Sequence, residues 1–463
     1  MSAAEGEPDG ALALSARIAA GALAPAALMD ETLGRIEASS LNAVVSLRPR
    51  DELMAEAEAA GRAAPRGWLH GIPFAVKDLV ATAGIRTTRG SPLHAEDVPE
   101  ADDLLAARLR AAGAILIGKT NVPEFGLGSN TFNPVFGPTA NPYDPARTCG
   151  GSSGGAAAAL AARLLPLADG SDMMGSLRNP ASFCNVYGMR PTAGLVPPGD
   201  AADAFAVPLS TLGPMARDPA DLAALLHTFS APDPRWPHVL PRPGARVAPA
   251  GPARIGWPGD MGLPFEDGIL DACRGALATL GEVVDLSLPV PRDALWDAWT
   301  TLRAHAVAAE LGPLFDDPVR RDRLKPAARW EVERGRALSV ADLAAARALR
   351  SGLHAALAPV WDEVDALAMP SAQVLPFDLD TEHPAEVAGT PMDTYHRWME
   401  VVVPASLLGL PAVACPAGFV RGLPVGFQLV GPRGADARLL ALAARHHAAT
   451  RWPQAAPPGR GAA

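Results

Sequence analysis

The sequence predicts an α/β protein, a single large domain whose mixed β-sheet core is covered by helices on both faces. Three observations carry this expectation. At 463 residues, with 49% hydrophobic and 19% charged content, the chain is able to bury a large core. Segments of helical periodicity alternate with short apolar runs of strand length. No internal repeat and no long linker divides the chain, so residues 1–463 are read as one domain.

The elements follow in order. Residues 26–38 place apolar side chains at helical spacing, and residues 51–60 form a second, alanine-rich amphipathic helix that Pro65 and Gly67 stop. Residues 72–80 read as a strand, broken in its apolar character only by Lys77 and Asp78. A helix over 102–112 closes at Gly113 and feeds a short strand at 114–117. Asp218 and Pro219 supply an N-cap and a first-turn proline for a helix to Phe229. A further helix spans 267–280 and a strand 283–286. Alanine, leucine and arginine at helical spacing dominate about 290–360, a helical excursion over one side of the sheet. Short strands return at 366–369, 412–415 and 425–430 before a helix from Asp436.

Composition narrows the function. Glycine (44) and proline (47) are abundant without a low-complexity tract, so loops are expected to shape a site. The net charge of −10 and the lack of a basic cluster interleaved with aromatics argue against nucleic acid as a partner. Cys149, Cys184, Cys273 and Cys415 are widely spaced, with no metal-ligand spacing, so neither zinc nor a disulfide framework is expected. No secretory signal is readable at residues 1–10, and the most apolar stretch, 156–168, is too short to span a membrane and contains Arg163. The expected compartment is the cytoplasm.

The chemistry concentrates in residues 150–192. Two serines in glycine-rich settings, Ser152 and Ser176, lie 24 positions apart. All ten histidines fall outside this segment, so a Ser-His pair has no local base. Lysine is the substitute: among 40 basic residues only Lys77, Lys119 and Lys325 are lysines. Arginine cannot release its proton, whereas a desolvated lysine becomes a neutral amine able to accept one from serine. Lys77 sits in such an apolar run; the alternative for it is an ion pair with Asp78 at a strand end. Ser153 also satisfies the Gly-x-Ser-x-Gly pattern of a nucleophile elbow, but residues 141–145 ahead of it read as a turn rather than the strand that motif needs. Lys119 lacks a surrounding phosphate-loop pattern and is read as structural. Tyr395, His396 and Trp398 fit either a site entrance or a packed surface helix.

These residues resemble the amidase signature family. The resemblance rests on Gly150-Gly151-Ser152-Ser153-Gly154-Gly155, Gly170-Ser171-Asp172, Gly175-Ser176-Leu177-Arg178, Pro180-Ala181 and Arg190-Pro191-Thr192. Upstream, Gly71-Ile72-Pro73 through Lys77-Asp78 and Gly118-Lys119-Thr120-Asn121 fit as well; downstream, Gly409-Leu410-Pro411-Ala412 and Gly422-Leu423-Pro424-Val425-Gly426 look like its closing strands. The match is most specific within a core of about 65–200.

The resemblance implies the amidase signature fold and a cofactor-independent amidase with no metal. Ser176 would be the acylated nucleophile, Ser152 a bridging serine on a cis peptide, and Lys77 the ultimate base. Backbone N–H groups of Met173, Met174 and Gly175, beside Ser176, would form the oxyanion hole. Asp172 and Arg178 would brace the loop, and Gly126 and Gly128 would line the acyl channel. The sequence departs at Met174, where the family usually has glycine; this is expected to narrow the pocket, and would strain any backbone angle reserved for glycine. The expected partner is a small-molecule amide, with neither nucleic acid nor membrane, and a homodimer is left open. Two other readings stand beside this one: the glutaminase-type subunit of a transamidation complex, and an inactive binding protein on the same scaffold.

Overall fold

Eight strands form the main sheet of the computed structural model, which describes residues 10–199, 203–455 and 457. In spatial order they are Gly281–Asp285, Ala253–Trp257, Ala366–Pro370, Leu423–Val430, Ala412–Val420, Tyr187–Arg190, Thr211–Ala216 and Leu167–Asp172. The first three run parallel. Every later neighbouring pair is antiparallel, so the sheet is mixed, as expected. Parallel neighbours need a crossover, and helices supply it. Ile269–Ala276 joins Ala253–Trp257 to Gly281–Asp285, and Arg292–Asp316, Pro326–Arg336 and Val340–Leu357 intervene before the chain returns at Ala366–Pro370.

A second, three-stranded sheet holds the run that contains Lys77. Ile115–Thr120 lies between Val44–Val45, antiparallel, and Pro73–Lys77, parallel. All five residues of Pro73–Lys77 are buried. The strand stops at Lys77, shorter than the 72–80 expected, because the chain turns there: the Val80 N–H donates to the Lys77 carbonyl at 3.0 Å. Its neighbour extends further than expected, carrying Lys119 and Thr120 within the strand and setting Thr120 in register with Lys77.

The helices expected at 26–38, 51–60, 102–112 and 218–229 are Pro25–Glu37, Arg50–Arg62, Leu104–Ala111 and Pro219–Phe229. Asp218 caps the last of these, accepting from the Ala220 N–H at 2.6 Å. Between 267 and 280 the α-helix is only Ile269–Ala276, continued by a tighter turn at Leu277–Thr279. The turn expected at 141–145 is present at Pro142 and Tyr143, but it joins Ala140–Asn141 and Asp144–Thr148 as a short antiparallel hairpin, so, against the expectation, a strand does precede the serine loop. Four strands of the large sheet, Leu167–Asp172, Tyr187–Arg190, Thr211–Ala216 and Ala253–Trp257, have no counterpart in the periodicity analysis.

Candidate active site

Lys77 is fully buried at the end of its strand. Its Nζ lies 2.8 Å from Ser152 Oγ, 2.8 Å from Ser153 Oγ and 2.9 Å from Ser171 Oγ. Three hydroxyls therefore surround the amine. Asp78, its neighbour in sequence, is not its partner: strand side chains alternate between faces, and the Asp78 carboxylate accepts from the Thr88 N–H at 3.0 Å and from Thr88 Oγ1 at 2.5 Å. Burial pushes the Lys77 pKa down to about 7, against the opposing pull of Asp169 and Asp172.

Asp169 is a residue the sequence reading missed. It sits fully buried on Leu167–Asp172, where Oδ1 accepts the Lys77 backbone N–H at 2.9 Å and Oδ2 has no partner among the described residues. Burial raises its carboxyl to about 6, partly offset by the bond from the Lys77 N–H and the charge of Lys77. Lys119 is also buried, its Nζ tied to the Val80 carbonyl at 2.6 Å and to Thr82 Oγ1 at 2.7 Å, which fits a structural lysine. Ser171 and Ser153 were visible only as parts of a motif; nothing in their spacing announces contact with a residue 94 or 76 positions away.

Ser152 follows a cis Gly151–Ser152 peptide. The loop around it is held by Ser129 Oγ donating to the Gly151 carbonyl at 2.6 Å and Thr131 Oγ1 donating to the Gly150 carbonyl at 2.8 Å. Ser153 is fully buried and faces Lys77, so it is not an exposed elbow nucleophile. Ser176 is 8% exposed and shares with Ser152 and Ser171 a cavity of about 130 Å³. Leu79, Leu127, Met173, Met174, Leu311 and Met399 supply much of the apolar wall. Gly126 and Gly128 border it too. Gly126 has φ +68, and a Cβ there would stand 2.8 Å from Leu79 Cδ1 and 3.4 Å from Ser152 Oγ.

The loop bearing Ser176 is pinned from beneath by charge. Arg178 donates from Nε and Nη2 to the two Asp172 carboxylate oxygens at 3.0 and 2.9 Å, a bidentate pair. Arg190 approaches the same carboxylate at 3.4 Å and also donates to the Asp172 carbonyl. All three side chains are fully buried. Burial alone would raise the Asp172 carboxyl, but the two guanidinium groups outweigh it and hold the group well below the usual carboxylate range. The free corners of the carboxylate accept the Gly175 N–H at 2.9 Å and the Leu177 N–H at 3.2 Å.

That arrangement already engages one of the three expected oxyanion donors. The Gly175 N–H is already engaged by Asp172, whereas the N–H groups of Met173 and Met174 have no partner among the described residues. Gly175, not Met174, carries the left-handed backbone, at φ +82. The methionine therefore costs no backbone strain. It is 3% exposed and forms part of the cavity wall.

Arg303 closes one side of the cavity, with Nε 2.7 Å from Glu331 Oε1 and Nη2 2.6 Å from Tyr395 Oη. Tyr395 stacks on buried His396 with ring centroids 4.6 Å apart, and Trp398 is 1% exposed. Trp398 lies in a short 3-10 helix, Arg397–Val402, and with His396 is buried, so this segment is packed inward rather than forming a site entrance. Among the described residues no cluster of three or more His, Cys, Asp or Glu is arranged to hold a metal ion.

Comparison with known proteins fits this picture. The family described as Amidase matches residues 27–440. The chain is 38% identical to a glutamyl-tRNA(Gln) amidotransferase subunit of Thermus thermophilus, over 94% of this chain and 96% of that one. It is 31% identical to an acylamidase of Rhodococcus erythropolis, over 95% of each. A solved bacterial aryl acylamidase of the amidase signature family superposes with a TM-score of 0.87 at 28% identity, covering 96% of this chain and 97% of that one. The fold and its relatives define a hydrolase acting on carbon–nitrogen bonds of linear amides. The chain belongs to the amidase family, whose enzymes carry the amidase signature.

Proposed function

We propose that this amidase acts through a Ser-Ser-Lys relay on small amides with apolar acyl groups. The observation that carries the relay is the buried Lys77 Nζ held 2.8 Å from Ser152 Oγ, with Ser152 and Ser176 lining the same cavity. Neutral Lys77 accepts the Ser152 proton while Ser152 takes the proton of Ser176, and Ser176 Oγ bonds to the amide carbon. Met173 and Met174 N–H groups stabilise the resulting oxyanion. When the C–N bond breaks, the leaving nitrogen takes a proton from Ser152, which Lys77 replenishes; water then repeats the sequence and releases the carboxylate.

The apolar lining supports the substrate class. Of the two charged groups at the cavity, Arg303 is already matched by Glu331, and Glu310, though its residue is exposed at the rim, has its carboxyl pushed up by burial, which weakens it as a charged partner. Glutamine, with both an ammonium and a carboxylate, finds no pair of unmatched buried partners there. The second reading, one component of a transamidation complex, draws on the 38% identity to such a protein. Purified chain assayed alone decides between them. Turnover of an acyl anilide without added proteins supports the stand-alone enzyme, and glutamine hydrolysis that needs partner chains overturns it. We further assign it to the cytoplasm, acting on a small molecule as a monomer or homodimer, a reading supported by four buried free cysteines and net charge −10. No helix among the described residues is long and apolar enough to cross a membrane.

Two pH predictions follow from the lysine. Because only the amine form accepts a proton, kcat/KM is expected to rise with pH through an apparent pKa near 7, where Lys77 titrates. A profile flat from pH 6 to about 9 in the purified enzyme contradicts this. Asp169→Asn removes an anion that favours protonated Lys77, so the acidic limb should move to lower pH. Parallel profiles of the two enzymes check the sign; an unmoved or upward limb rejects Asp169 as the tuning group.

A further inference from the structure

A second cavity, of about 880 Å³, opens beside the first. No residue lines both, yet they share walls: Leu209 and Ser210 face opposite cavities, as do Leu302 and Arg303, and Ala306 and Val307. Its ionisable lining is one-sided. Among the described residues Arg347, Arg350, Arg433, His305 and His354 face it, against Asp203 as the one acidic group, in a chain whose net charge is −10.

No carboxylate among the described residues pairs with these arginines. Arg433 spends its guanidinium on two backbone carbonyls, Gly409 at 3.1 Å and Ala193 at 3.0 Å, which fix its position but leave its charge. Arg350 is half-buried and makes no side-chain hydrogen bond or ion pair with a described residue, and neither does Arg347. The two guanidinium groups crowd one spot: a Cβ on Gly409 would stand 3.0 Å from Arg433 Nη1 and 3.6 Å from Arg350 Nη2. Burial, together with the like charge of Arg433, lowers the Arg350 pKa. Convergent cations without a counter-charge raise the local potential and favour an anion, and arginine matches carboxylate or phosphate oxygens in pairs. The remaining wall is apolar, with Leu209, Leu302 and Leu408 buried and Phe205 81% exposed at the edge. The volume falls in the range of sites for drug-sized ligands.

The geometry points to a binding site for an anionic amphiphile, a carboxylate or phosphate head on Arg350 and Arg433 with Arg347 at the exposed side, and an apolar tail along Val207, Leu209 and Leu302, separate from the catalytic cavity. This inference does not rest on the Ser-Ser-Lys reading. The test is calorimetric titration of the full chain with octyl phosphate below its micellar concentration, and with inorganic phosphate and octanol as half-ligands. Octyl phosphate is expected to bind at one site per chain, at least tenfold more tightly than either half-ligand. The Arg347→Ala/Arg350→Ala variant should weaken it at least tenfold, whereas Ser176→Ala should leave it unchanged. Arg347→Glu, at an exposed position, should also weaken binding and guards against misfolding of the double variant. Equal affinity for octanol, binding indifferent to the arginine substitutions, or loss of binding in Ser176→Ala would overturn the assignment.

Discussion

Lys77→Met is expected to lower kcat for amide hydrolysis by roughly 10³ to 10⁴-fold, the scale of losing a general base that activates a serine. The amine is surrounded by three hydroxyls, and among the described residues no carboxylate lies within ion-pairing distance, so its environment suits a neutral proton acceptor. Lys77→Arg is expected to fail as well, since a guanidinium keeps its proton. Single-turnover assays with an acyl anilide read the loss; retention of a tenth of the activity in either variant rules out the relay. The same substitution leaves a signature in stability. Lys77 holds its proton up to pH 10.5 when unfolded but only to about 7 when folded. Between those values the unfolded chain binds the extra proton at this residue, so the Lys77 contribution to native stability rises with pH. That rise is expected to flatten in Lys77→Met, measured by urea unfolding across the window.

Asp172→Asn carries the largest expected effect on stability, about 3–5 kcal/mol, the usual penalty for stripping one partner from a buried ion pair. Two fully buried guanidinium groups lose their counter-charge together, and an amide cannot accept on all sides from Arg178, Arg190, Gly175 and Leu177. Denaturant midpoints of the two proteins measure the change. Because the native carboxyl titrates well below its ordinary range, the wild-type contribution is complete at neutral pH and disappears only in acid. Activity should fall alongside stability, since Asp172 anchors the loop that presents Ser176. A variant as stable as the parent at pH 7 shows that the cluster is not what holds that loop.

The large helices were legible because their signal is local. Residues 25–37, 50–62 and 219–229 form an apolar face at a fixed spacing, and Asp218 and Pro219 mark a helix start in any context. The strands at 167–172 and 211–216 were not, because glycine, proline and aspartate interrupt them, and their β conformation comes from pairing with each other and from burial. Asp169 escaped for the same reason: a lone aspartate in an apolar stretch has no periodicity to betray that its carboxylate meets the backbone of Lys77.

By itself the sequence determined which side chains are able to do chemistry: two serines in glycine-rich settings, no nearby histidine, and a lysine kept where arginine would otherwise serve. Those are choices of functional group, and composition records them directly. Only the tertiary structure decided that Lys77 is enclosed by Ser152, Ser153 and Ser171 and that its backbone N–H meets Asp169. It also decided that the Gly175 N–H donates to the Asp172 carboxylate. Proton affinity depends on desolvation and on charges a few ångströms away, and those distances arise when segments scores of residues apart in the chain pack together.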